Sequence, residues 1–179
     1  GNTSINPQLE NDLVSIEIKT KTPAKTLYQP DEPWFVGDVN LHFNADRLLF
    51  SSISRNNRWQ VFELKLGQST PTVVTPETHA DIDNYNGIYL PDGRIIYDST
   101  SSFVGVPCVG GKDTVANLHL LSADRRHVRR LCFEQDNDWY PTVMADGRVM
   151  FLRWEYTDSA HYFSRVLMAM NPDGTGQIE

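Results

Sequence analysis

Three stretches of this chain repeat one another, and that repetition limits the fold more than any other feature. They are Phe43-Asn44-Ala45-Asp46-Arg47-Leu48-Leu49-Phe50, Tyr89-Leu90-Pro91-Asp92-Gly93-Arg94-Ile95-Ile96-Tyr97 and Val143-Met144-Ala145-Asp146-Gly147-Arg148-Val149-Met150-Phe151. Each reads as an apolar strand, a tight Asp-Gly or Asp-Arg turn, and a second strand that ends in an aromatic residue. Asp-Gly between apolar runs marks a hairpin because the turn needs a residue at positive φ. Counting back eight residues from each turn aspartate reaches Asp38, Asn84 and Asp138. A third strand follows each hairpin, at Gln60 to Leu64, Asn117 to Leu121 and Val166 to Met170, and a fourth follows in two copies, at Pro71 to Val74 and His127 to Cys132.

Four short strands in roughly 40 to 50 residues make one propeller blade. The expectation is an all-β chain, a β-propeller of about three four-stranded antiparallel blades over residues 35–80, 81–135 and 136–179, forming an incomplete ring. Residues 1–34 are an N-terminal segment in which Asp12 to Ile18 alternates like a strand and could belong to a partial blade. The third repeat lacks a full fourth strand after Asn171-Pro172-Asp173-Gly174, so the remaining blades are expected from the same chain or from a second copy. No helix is predicted: the apolar period is two, and proline and glycine punctuate throughout.

The net charge of −7 argues against a nucleic-acid partner, which needs a basic face. No run of about 18 apolar residues predicts a membrane span. The opening Gly1-Asn2-Thr3-Ser4 reads as polar linker, from which an export signal would already have been removed. Cys108 and Cys132 fit no zinc pattern; they read either as two buried thiols or as one disulfide in an oxidising compartment.

Two groups of side chains stand out as candidate sites. The connector from Trp154 to Arg165 gathers Trp154, Glu155, Asp158, His161 and Arg165. Its carboxylates and imidazole could bind a ligand or a metal, or move a proton. The alternative is that Trp154 and Tyr162 fill an inter-blade gap while the charged groups tie the loop down. The second group is acidic: Asp81 and Asp83, Asp136 and Asp138, with Asp38. First strands line the channel of a propeller, so Asp83 and Asp138 could supply oxygen ligands for Ca²⁺ at its mouth. The alternative is that each aspartate caps its own turn.

The Pro-Asp-Gly-Arg signature resembles the PD40 repeats of TolB-type propellers. From Phe35-Val36-Gly37-Asp38-Val39-Asn40-Leu41-His42-Phe43 onward, the chain is more closely similar to the middle, propeller domain of the hydrazine synthase alpha subunit family. The stretches that carry this are Tyr89 to Ile95, Gly105-Val106-Pro107-Cys108-Val109-Gly110-Gly111, and Arg153-Trp154-Glu155-Tyr156-Thr157-Asp158-Ser159-Ala160-His161-Tyr162-Phe163-Ser164-Arg165. The resemblance spans about four-fifths of the chain. It does not carry over hydrazine synthesis, which needs c-type haem, because no Cys-x-x-Cys-His occurs. The chain departs from the family at Ser102 and Tyr140, where relatives often have cysteine. The joint loss of those two implies that they pair with each other in relatives, leaving Cys108 to pair with Cys132.

The resulting expectation is a propeller module in a periplasmic or extracellular protein. It would bind a protein or small ligand on its channel face and would carry no catalytic signature of its own. The alternative is part of a redox or hydrolytic enzyme related to the hydrazine synthase alpha subunit, with haem or catalytic groups supplied outside this chain.

Overall fold

The computed structural model describes residues 11–20, 22–106, 110–111, 113–155 and 165–179. All regular structure among them is β, in four antiparallel sheets. β1 (Leu13–Ser15) and β2 (Lys25–Tyr28) form a two-stranded sheet. β3 (Gly37–Leu41), β4 (Arg47–Ile53), β5 (Trp59–Lys65) and β6 (Thr72–Val73) follow in up-and-down order. β7 (Asn84–Tyr89), β8 (Ile95–Ser99), β9 (Asn117–Leu121) and β10 (Val128–Arg130) repeat that meander. β11 (Asp138–Val143), β12 (Val149–Trp154) and β13 (Arg165–Met170) make the last sheet. There a single bridge between Ala169 and Ile178 stands where the expected fourth strand would lie.

The Asp-Gly signature works as a three-residue hairpin loop. Leu90 N–H donates to Arg94 C=O at 2.8 Å and Gly93 N–H to Leu90 C=O at 3.0 Å, with Gly93 at φ 86°. Asp92 accepts the Arg94 N–H at 3.2 Å, and Arg94 Nε returns to the same carboxylate at 2.7 Å. That hydrogen bond from Arg94 holds the Asp92 carboxyl below its usual range. Asp146, Gly147 and Arg148 rebuild the same loop, as do Asp173, Gly174 and Thr175 without the arginine. In the first repeat the loop is one residue longer. His42 N–H donates to Arg47 C=O at 2.9 Å, and Ala45 takes the left-handed place of glycine at φ 53°.

That extra residue corrects the alignment of the inner strands. Each inner strand carries a bulge, and the residue at positive φ in it is Asp38 (53°), Asn86 (50°) or Tyr140 (54°). Asp38 is therefore the counterpart of Asn86 and Tyr140, not of Asn84 and Asp138, which are counterparts of each other. Counting back from the turn aspartate misplaced it because Asp46 closes a longer loop, whereas Asp92 and Asp146 sit at the middle of shorter ones.

The sheets pack in series through apolar clusters. Leu13, Val36, Leu48, Phe50 and Leu64 join the first two sheets. Leu49 and Val61 meet Tyr89, Ile95, Tyr97 and Leu121 across the next seam. Ile88, Ile96 and Leu118 meet Val149, Phe151 and Met170 across the last. Because it is covered on both faces, the β7–β9 part of the middle sheet is buried at every position instead of alternating.

Backbone comes close at Gly87, next to the bulge. A Cβ there would lie 2.5 Å from Val61 Cγ1 of the preceding sheet. Gly87→Ala should therefore destabilise the protein by about 1–3 kcal/mol through overpacking, read as a lower urea midpoint with an unchanged slope.

Candidate functional site: a cleft on the inner strands

The first strand of each sheet lies against the preceding sheet: β7 against β3, β4 and β5, and β11 against β7, β8 and β9. Two sets of polar bonds fix this approach. Opposite the residue just before each bulge stands Ser51 in the first four-stranded sheet and Asp98 in the second. Ser51 Oγ accepts the N–H of Asn86, the bulge residue of the next sheet, at 2.9 Å. The N–H of Tyr140 is turned in the same way toward the Asp98 carboxyl. The second set ties each third strand to the entry of the following sheet. Trp59 N–H donates to Asp83 Oδ1 at 3.0 Å, and Ala116 N–H to Asn137 Oδ1 at 2.7 Å. Asn84 Nδ2 donates to Gln60 Oε1 at 2.9 Å; the counterpart is Asn117 Nδ2, which donates to Asp138 Oδ2 at 3.3 Å.

These bonds account for where the acidic residues lie. Asp83 faces Arg58 (Nη1 to Oδ2, 3.5 Å) while capping the Trp59 N–H of the preceding sheet. Asp138 has a fully buried side chain and receives Arg153 Nε at 2.8 Å. Burial pushes the Asp138 carboxyl above its usual range even though Arg153 and Asn117 act to lower it. Asp92, Asp124, Asp146 and Asp173 cap their own turns, whereas Asp83 caps a neighbour's strand. Asp83 and Asp138 thus belong to two successive seams. Among the described residues no group of three or more His, Cys, Asp or Glu is placed to hold a metal ion.

In the Trp154–Arg165 connector, Trp154 and Arg165 come together as partners in the β12–β13 register. The Trp154 ring stacks nearly parallel on Trp139, with centroids 6.2 Å apart, and the Arg165 guanidinium lies 5.9 Å from Trp154 and 6.0 Å from Trp139. Glu155 is exposed at the end of β12. Asp158 and His161 lie outside the described residues, as does Cys108. Cys132 is a buried free thiol, pushed up chiefly by burial, with Gln177 Nε2 at 3.7 Å from its sulfur.

Sequence reasoning did not single out the bulges, which line a cleft of about 290 Å³. Its walls are Asp38-Val39-Asn40, Asn86-Gly87-Ile88 and Tyr140-Pro141-Thr142, the same three positions of three successive inner strands. Non-glycine residues at positive φ are strained and persist where the surroundings fix them. Here three of them ring one opening. Asp38 and the Tyr140 ring are exposed, Tyr140 to 55%. The Asp38 carboxyl is held above its usual range by the protein around it, against hydrogen bonds from the Ser51 hydroxyl and the Asn86 N–H.

No family model matches the chain, and no curated protein matches it. Solved structures do. The chain superposes on a putative TolB from Agrobacterium tumefaciens with a TM-score of 0.64 at 16% identity, covering 87% of this chain and 51% of that one. Hydrazine synthase from Kuenenia stuttgartiensis gives 0.71 at 12% identity, covering 93% and 27%. This is a TolB-like β-propeller fold. An oligogalacturonate lyase in complex with manganese gives 0.62 at 14% identity, covering 93% and 46%. The chain spans about half or less of the length of each of these propellers. Identities this low establish the fold, and fold leaves chemistry open.

The buried pair at the seam gives a direct test. Asp138→Ala strands the Arg153 guanidinium, whose other carboxylate, Glu134 at 3.2 Å, is solvent-facing. The loss should be about 3 kcal/mol, the lower end for a broken buried pair. Arg153→Met with Asp138→Leu should recover most of it in thermal unfolding.

Proposed function

We propose that this propeller is a binding module whose inner-strand cleft receives a positively charged, donor-rich group of a protein or small ligand. The single observation that carries this reading is the convergence of Asp38, Asn86 and Tyr140 on one opening. The cleft offers a carboxylate whose own donors, a hydroxyl and a backbone N–H, are uncharged. It also offers an exposed aromatic face for the same cation. Apolar Val39 and Ile88 would bury the stem of a lysine or arginine side chain. A net charge of −7 favours encounter with such a partner. The envelope or exported setting implied by the sequence resemblance is part of the same proposal.

Calorimetric titration with a lysine-rich peptide, and with a glutamate-rich control of the same length, tests the reading. The lysine peptide should bind and the control should not. Asp38→Asn should weaken binding about tenfold or more, the worth of a charge-assisted hydrogen bond, and Tyr140→Ala should weaken it less. Equal affinity of the wild type and Asp38→Asn for the lysine peptide would rule the cleft out.

A further inference from the structure

Asp98 is fully buried where the second and third inner strands meet, and the charges it feels among the described residues, Asp138 and Asp38, are both negative. Asn86 Nδ2 donates to Asp98 Oδ2 at 2.7 Å. The two remaining oxygens of this pair, Asn86 Oδ1 and Asp98 Oδ1, are both buried and have no hydrogen-bond partner among the described residues. Buried polar atoms are rarely left in that state. One proton removes both defects. A planar carboxamide that meets a carboxyl edge-on through Nδ2 and Oδ2 brings the other two oxygens side by side. They repel as two acceptors, but they bond if Asp98 carries a hydrogen on Oδ1.

We propose that Asp98 is a neutral carboxylic acid in the folded protein at neutral pH, donating Oδ1–H to Asn86 Oδ1, and that its ionisation loosens the seam between the β7–β10 and β11–β13 sheets. The Asn86 amide and the Tyr140 N–H favour the ionised form, but burial outweighs them, and the titratable groups facing Asp98 act with burial. Asp38 of β3 and Asp138 of β11 both disfavour a further negative charge. Tyr85, its partner across β7–β8, is a buried phenol, and Cys132 is a buried thiol. Arg153, which faces Asp138 across β11–β12, is committed to Asp138 at 2.8 Å and Glu134 at 3.2 Å. Burial drives the Asp98 carboxyl well above its ordinary range.

The sign follows from proton counting. An unfolded aspartate releases its proton near pH 4, while the folded one keeps it to higher pH. The folded state then binds more protons, so stability falls as pH rises from about 4 through the folded value. This inference does not depend on what the cleft binds.

Infrared difference spectroscopy of the wild type against Asp98→Asn tests the protonation state. A protonated carboxyl band should be present in the wild type at pH 7 and absent from the variant. Asp98→Asn retains the donor toward Asn86 Oδ1, so its melting temperature should equal or exceed that of the wild type at pH 8. The decline between pH 5 and pH 8 should also be shallower in the variant. Absence of the band at pH 7 overturns the neutral acid. A variant that melts below the wild type at pH 8, or that keeps the full decline, overturns the pH-dependent seam.

Discussion

The arrangement of the sheets depends on a bond that belongs to no sheet: the N–H of a bulge residue, turned sideways out of its own ladder toward a side chain of the preceding sheet. A regular inner strand would direct that N–H into its own ladder. The left-handed residue at Asn86 or Tyr140 breaks the register and frees the donor. A buried N–H without a partner costs as much as a lost hydrogen bond. Ser51 meets that need in one seam and Asp98 in the next. Apolar burial draws the sheets together but has no preferred angle or register. The latch, together with the bonds from Gln60 and Asn117 to the next strand entry, supplies the direction that burial lacks.

Much of this architecture can be read in the sequence, and the parts that cannot have a common cause. The hairpins are legible because Gly93 and Gly147 sit where the backbone needs positive φ. The alternation of Asp12 to Ile18 marks β1, though only Leu13–Ser15 pairs. The bulges are not legible: their left-handed positions are held by Asp, Asn and Tyr, and no residue type common to the three announces the conformation. One added residue in the first hairpin loop then shifts any count made from the turns. The acidic residues were visible, but their direction was not. Asp83 and Asp138 both sit at the entry to an inner strand, one position apart in register, yet one caps a neighbour's backbone and the other neutralises Arg153. Those roles depend on which sheet lies behind them, and spacing along one chain does not encode that.

The two latches are chemically different, and the third position breaks the series. Leu152 stands opposite Trp139 just as Ser51 stands opposite Gly37 and Asp98 opposite Tyr85. A leucine accepts nothing. A sheet packed against that side would have to satisfy its bulge N–H through another group. The seams of this propeller are therefore not interchangeable, although the turns that bound its sheets are close copies. Repetition is strong where the chain folds on itself locally and weak where one repeat meets another.

The cleft and the latch occupy the same residues, yet they use different atoms of them. Tyr140 contributes its backbone N–H to the seam and leaves its ring exposed. Asn86 also gives its backbone N–H to the seam, at Ser51, but its side chain is committed to Asp98 while the residue lines the cleft. Asp38 is the inner-strand bulge that precedes both; the residue is exposed in the cleft, while its carboxyl accepts from the Ser51 hydroxyl and the Asn86 N–H. Replacing the Tyr140 side chain thus leaves the seam bonds in place, whereas replacing Asp38 removes an acceptor turned toward the Asn86 N–H of the next sheet, and replacing Asn86 removes the bond to Asp98. The strain that opens the cleft is the same strain that frees the latching N–H. A propeller of this kind can vary what its inner face binds at the Tyr140 position without altering how its sheets are joined.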